Sequence, residues 1–160
     1  MMKGLLKWPL TIAAVFVVVR IVLERAGAPE ALNNVFSVVV LYVLICPLYF
    51  AIRISKSDLM HPYRGLLKTI VLYTALARSM VIPTYWLAYK YSWTQYRFSV
   101  PAGGNVGPGV TPFMGYIGVP LMAAVAWILI SLVVGGGLGS LVIRLKRGAA
   151  GKASGTAAAL

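Results

Sequence analysis

Four long apolar runs limit what this chain can fold into. They cover about residues 5–23, 35–54, 66–89 and 112–145 and contain no acidic residue. Each is near or above the ~20 residues that an α-helix needs to cross ~30 Å of hydrocarbon. Helices satisfy every backbone donor and acceptor internally, and the short alternating segments of a membrane barrel are missing. Only 11% of the 160 residues are charged, against about 25% in a soluble domain, too few to cover a surface in water. The expected fold is therefore an all-α integral membrane protein, with four transmembrane helices in an up-down bundle. The fourth run is too long for one plain span. Pro112, Gly115, Gly118 and Pro120 crowd its start, so 112–119 reads as an irregular lead-in. The expected organisation is one transmembrane domain, 1–147, with spans at about 5–23, 35–54, 66–89 and 120–143. The small-residue segment 148–160 reads as a disordered tail.

Charge orients the bundle. The chain carries 15 Lys+Arg against 3 Asp+Glu. In a soluble protein that excess would suggest nucleic acid, but here the basic residues sit in short flanks of the apolar runs. That is the pattern of positive-inside topology and of contact with anionic lipid, so no nucleic-acid partner is expected. Lys3, Lys7, Arg53, Lys56, Arg64, Lys68, Arg144, Lys146, Arg147 and Lys152 fall on one side; Arg20, Arg25, Lys90 and Arg97 fall on or near the other. Both termini and the 55–64 connection are thus expected in the cytoplasm, against the anionic lipids of that leaflet. The Gly/Pro-rich segment 92–112 is expected outside, its start marked by Tyr89, Tyr91, Trp93 and Tyr96. Ala26-Gly27-Ala28 resembles a signal-peptidase site, but Arg20 and Glu24 interrupt the segment and Pro29 follows it, so the first helix reads as an uncleaved anchor. The expected location is multi-pass in a bacterial inner (plasma) membrane.

Within this frame Arg78 is the principal lead. It lies twelve residues from Leu66 and eleven from Tyr89, some 15 Å or more from either end of its span. A charge at that depth costs about 2.5–3.5 kcal/mol on insertion scales. At 100° per residue, Thr74, Arg78, Ile82, Tyr85 and Tyr89 share an arc of about 80°. Such a polar stripe belongs against the bundle interior, a cavity or a partner, and Thr74, Arg78, Tyr85 and Tyr89 are the candidate anion- or partner-binding residues. Two readings compete: Arg78 as fold glue, bound to carbonyls and tyrosine hydroxyls, or Arg78 holding an anion that this span does not supply.

The remaining motifs point less sharply. Arg20 and Glu24 form a local i,i+4 pair. His61, the one histidine, reads as a loop residue; Cys46, the one cysteine, precedes Pro47 in a kinked helix. Neither belongs to a ligand set, so no metal or cofactor is expected. Gly135 and Gly139, with Gly136 and Ser140, make small-residue faces that let helices approach closely, either within the chain or against another subunit. The segment 101–112 lacks the Lys-Ser/Thr of a phosphate loop; it reads as an outer cap or as a flap over a pocket near Arg78. Glu24, Glu30 and Asp58 are not grouped with a nucleophile or base, so an enzyme is not expected. The expected role is an accessory or scaffolding subunit of a membrane complex, docking a protein partner through Arg78 and the small-residue face. The alternative is an oligomeric transporter, channel or lipid-binding protein with an anion site at Arg78.

Overall fold

The computed structural model describes residues 2–57 and 59–157, and at 2, 3 and 149–157 the backbone alone. Among the described residues the chain is 82% helical with no strand. The helices are α1 (Met2–Arg25), the short α2 (Glu30–Val35), α3 (38–55), α4 (Pro62–Lys90) and α5 (112–157). Four helical stretches are long and apolar enough to cross a membrane: Gly4–Arg25, Glu30–Ser55, Pro62–Lys90 and Met114–Gly148. In the second, α2 and α3 meet at a break, where the Ser37 side chain accepts the Val39 N–H at 3.4 Å and starts α3.

Two prolines shape α3 and α5. A proline has no N–H to give the carbonyl four residues back, and its ring collides with that carbonyl. The turn ahead of Pro47 widens into a π-turn, Leu41–Ile45, in which the Cys46 N–H reaches the Leu41 carbonyl. The turn ahead of Pro120 does the same over Met114–Gly118, where Val119 reaches Met114. The stretch expected as an irregular lead-in is thus helical but over-wide, and α5 starts at 112. Proline is well placed there because the first helical turn does not use its N–H, and the Thr111 hydroxyl accepts the Met114 N–H at 3.4 Å. A third π-turn, Ser131–Gly135, precedes the glycine run. The disorder expected of 148–160 falls where only backbone is described, and 158–160 lie outside the described residues.

Helix α4 is the hub and packs on α1, α3 and α5. Its buried Leu66, Ile70, Tyr73, Ala77 and Val81 meet Leu6 and Ala13 of α1 and Tyr42, Cys46, Phe50 and Ala51 of α3. The Tyr73 ring stands edge-on to Phe50 at 5.5 Å, and its hydroxyl donates to the Pro9 carbonyl at 3.4 Å. Glycines close the α3–α5 seam. A Cβ at Gly135 would stand 2.5 Å from Pro47 Cγ and 2.9 Å from the Val43 carbonyl; one at Gly139 would stand 2.8 Å from Leu66 Cδ2 and 3.3 Å from Ala51 Cβ. The Gly135–Gly139 face is therefore filled inside the chain, and Gly136 lies against Leu67. Val15, Val18 and Val22 on α1 and Leu121, Val125, Leu129 and Val133 on α5 face outward, so the bundle is apolar outside as well as inside.

Candidate functional site

Arg78 is 4% exposed. Its Nε and Nη2 have no hydrogen-bond partner among the described residues, an exception to the rule that buried polar groups are paired. It lines a cavity of about 240 Å³ at the end of the bundle where the 26–37 and 91–111 connections gather. Arg20 of α1 and Arg97 of the 91–111 segment line the same cavity, so three guanidinium groups converge there. Val17, Val38, Val39, Val81 and Trp127 make its apolar walls. The wall is thus mixed, with polar groups as prominent as apolar ones, a more polar lining than the ordinary small-ligand pocket has.

One carboxylate answers two of the three cations. Glu24 Oε1 accepts from Arg20 Nε at 2.9 Å, and Glu24 Oε2 lies 2.8 Å from Arg97 Nη2. The second contact is close but poorly aligned as a hydrogen bond, leaving Oε2 and Nη2 underused. Arg20 also donates to Asn34 Oδ1 at 3.4 Å, and Gln95 Nε2 to the Glu24 carbonyl at 3.3 Å. Burial pushes the Arg97 guanidinium below its ordinary pKa, Glu24 pulls it back, and the like charge of Arg20 pushes it down again. Arginine does not lose its proton over any ordinary pH range, so the crowding persists as stored positive potential.

The local sequence explains how these groups arrive together. The π-turn Leu41–Ile45 carries Tyr42, which is fully buried, stands edge-on to Trp127 at 5.9 Å and has its hydroxyl within hydrogen-bonding reach of Arg78, though not in good alignment with it. Tyr85 lies two turns above Arg78 with its ring centroid 6.0 Å from the guanidinium carbon, the outer limit of a cation–π contact. The 91–111 segment is pinned over this end. Its buried Phe98 stacks edge-on against Tyr85 and Trp93 at 5.3 and 5.6 Å and lies 4.2 Å beneath Arg97. Asn105, fully buried, donates to the Tyr85 and Gly115 carbonyls at 2.8 and 2.7 Å. Gly104 has no room for a side chain, because a Cβ would overlap the Phe98 backbone. Of the 101–112 stretch, expected as an outer cap or a flap, Ala102 lines the Arg78 cavity and Asn105 is buried against α4 and α5.

The polar stripe divides. Arg78 and Tyr85 share the cavity. Thr74 is fully buried one turn below with its hydroxyl unpartnered among the described residues, and it is not in the cavity wall. Tyr89 turns away: it donates to the Val110 carbonyl at 3.1 Å, stands edge-on to Tyr116 at 4.9 Å and covers Gly115. Gly135, Gly136 and Gly139 lie in helix contacts and Ser140 is half-buried, all outside the cavity wall. His61 is exposed at the start of α4, and Cys46 is buried in the α3 core.

Sequence reasoning missed Arg97, Tyr42 and the second role of Arg20. Reading Arg20 with Glu24 as a self-contained pair hid the fact that the same carboxylate also faces Arg97. The available signal was partial: Arg20 and Arg97 both lie toward the end of the chain's spans where Glu24 is. At the other end a larger cavity of about 520 Å³ is lined by Leu5, Tyr49, Arg53, Ile54, Leu59 and Thr69. Its Thr69 hydroxyl already donates to the Gly65 carbonyl at 2.8 Å, and Arg53 lies over the Tyr49 ring. The two cavities differ in this respect: polar groups are left waiting in the arginine cavity. Compared with known proteins, the chain matches no family model, no curated protein and no solved structure.

Proposed function

We propose that this chain is a multi-pass membrane protein of the plasma membrane that binds a small anion in the cavity shared by Arg20, Arg78 and Arg97. The observation that carries this reading is Arg78 itself. It is a charge buried to 4% exposure, with two unpartnered donors, on the wall of a space large enough for a small ligand. A buried charge left this way costs several kcal/mol unless something compensates it. Fold glue would account for the Tyr42 hydroxyl and the Tyr85 ring beside Arg78 but not for the cavity that Arg78 lines together with Arg20 and Arg97. In this reading the cavity opens toward the outer face, both termini are cytoplasmic, and Arg53, Lys56, Arg64, Lys68, Arg144, Lys146 and Arg147 meet the anionic inner leaflet.

The role is binding rather than catalysis, since the cavity offers a counter-charge and no nucleophile–base pair. A docking subunit would need Arg78 or the glycine face open to its partner. Arg78 is buried, and Gly135 and Gly139 are filled by Pro47, Ala51 and Leu66, which favours the anion site. The test is thermal unfolding of purified protein in detergent, with phosphate, sulfate and acetate added at matched ionic strength, wild type beside Arg78→Gln. A ligand at 100 times its Kd adds about 2.7 kcal/mol, so an anion should raise the wild-type midpoint by several degrees and leave the variant unmoved. Equal shifts in both proteins, or none in either, would refute the reading.

A further inference from the structure

Resting on that anion reading, we infer that the ligand is a phosphomonoester, a dianionic phosphoryl group bound through the side-on edge of Arg78. Charge gives the first argument. Three guanidinium groups against the one carboxylate of Glu24 leave two positive charges around the cavity. Glu30, the other acid at this end, is exposed on the neighbouring rim and is screened by solvent. A carboxylate or a phosphodiester would neutralise half of that excess. A phosphomonoester carries about −1.5 to −2 at neutral pH and neutralises nearly all of it.

Donor geometry gives the second argument. The two Arg78 nitrogens without partners are Nε and Nη2. They form one edge of the guanidinium fork, the edge that takes two oxygens of one phosphoryl or carboxylate group in parallel. A carboxylate would be used up by that edge alone. A phosphoryl group has a further oxygen to offer, and the cavity has a further donor for it: Arg97, whose Nε has no partner among the described residues and whose Nη2 Glu24 meets only obliquely.

Size and wall chemistry give the third. At about 240 Å³ the space lies below the roughly 300–1,000 Å³ of pockets for drug-sized ligands. It admits a head group and excludes a bulky polyanion such as a nucleotide. Val17, Val38, Val39, Val81 and Trp127 shield one part of the wall, and charge-assisted hydrogen bonds made on that side are strengthened. The same chemistry belongs to a lipid with a phosphomonoester head group and to a free phosphate in the aqueous phase.

The experiment is a ligand series on wild-type protein in nanodiscs, read by isothermal titration and native mass spectrometry. Inorganic phosphate and phenyl phosphate are set against benzoate and dimethyl phosphate. In parallel, nanodiscs of phosphatidic acid are set against phosphatidylglycerol and phosphatidylcholine. The expected result is that phosphomonoesters bind about tenfold or more tightly than the carboxylate and the diesters, and that Arg78→Gln weakens them by about 10- to 100-fold. Capture of phosphatidic acid with little affinity for inorganic phosphate would give the same group a lipid source; the reverse would give it a soluble one. Benzoate or dimethyl phosphate binding as tightly as phenyl phosphate would overturn the phosphomonoester inference and leave the anion site standing. Wild-type protein that binds none of these anions would overturn both. The ligand ranking uses wild type only, so it decides the inference even if the variant does not fold.

Discussion

The glycine seam and the arginine cavity are built from the same helices and obey opposite rules. In the seam, Gly135 and Gly139 of α5 sit on Pro47 and Ala51 of α3 and Leu66 of α4 with no room for a single added carbon. In the cavity, nearer the other end of those helices, side chains stand apart around open space, and buried nitrogens of Arg78 and Arg97 lack hydrogen-bond partners among the described residues. A fold with no other task fills its interior to crystal-like density and pairs its buried polar groups. The seam meets both conditions; the cavity meets neither. The bundle also holds a larger cavity, about 520 Å³, at its other end, but there the Thr69 hydroxyl is paired. What sets the arginine cavity apart is gathered charge with buried donors left free, which is how proteins set stability aside at binding sites.

The largest effect tests the seam. Gly135→Leu would drive a side chain into Pro47 and the Val43 carbonyl, both on α3 and neither able to move without the helix. Overpacking of this kind costs about 3 kcal/mol or more, so the variant should unfold at a much lower temperature or fail to accumulate. A near-normal melting curve would mean that the two helices are not in close contact. Next in size is Glu24→Gln. Its side chain is 3% exposed, and Arg20 and Arg97 are 14% and 19% exposed. Removing the shared carboxylate leaves two guanidiniums side by side. Breaking a fully buried pair costs 3–5 kcal/mol; the partial exposure of both arginines brings the expected loss to about 2 kcal/mol. It should register as a fall in the unfolding midpoint that added phosphate does not fully restore.

Arg78→Met sharpens the comparison because its sign is opposite. If Arg78 held the fold together, methionine would destabilise it like any lost buried ion. If Arg78 is kept for a ligand, methionine removes an uncompensated charge and fills the space with an apolar chain of similar reach. Such replacements are often stabilising by about 1–4 kcal/mol, and a gain of about 1 kcal/mol is expected here, seen as a midpoint about 2–4 °C higher without ligand. The same variant should no longer be stabilised by phosphate. A fall in the ligand-free midpoint would return Arg78 to a structural role.

What the sequence disclosed follows the range of the interactions involved. Helices at 5–23, 35–54 and 66–89 were readable because burial acts on every residue of an apolar run, and the observed Met2–Arg25, Glu30–Ser55 and Pro62–Lys90 bracket them. The start of α5 was not, because Pro112, Gly115, Gly118 and Pro120 are individually helix-breaking. Gly115 is tolerated for a tertiary reason, the Tyr89 ring 2.5 Å from where its Cβ would be. Arg78 was legible as an isolated charge, since depth is counted along one helix. Its companions were not, because Arg20, Tyr42 and Arg97 lie 58, 36 and 19 positions away along the chain. Only the packing of α1, α3 and the 91–111 segment around α4 brings them to one space.

Tyr89 offers the smallest effect and the sharpest limit on the site. Helical spacing placed it on the same stripe as Arg78, yet its hydroxyl is committed to Val110 at 3.1 Å and its ring to Gly115 and Tyr116. Tyr89→Phe keeps the ring and deletes one half-buried hydrogen bond, so stability should fall by about 0.5–1 kcal/mol. Anion affinity should stay within twofold of wild type, roughly the uncertainty of one weak contact. Tyr85→Leu, by contrast, strips a ring from the cavity wall and the packing partner of Phe98, and should weaken binding measurably. If Tyr89→Phe weakened the anion as much as Tyr85→Leu, the site would extend up the whole polar face of α4. The boundary drawn between cavity and cap would then have to move outward by a full helical turn.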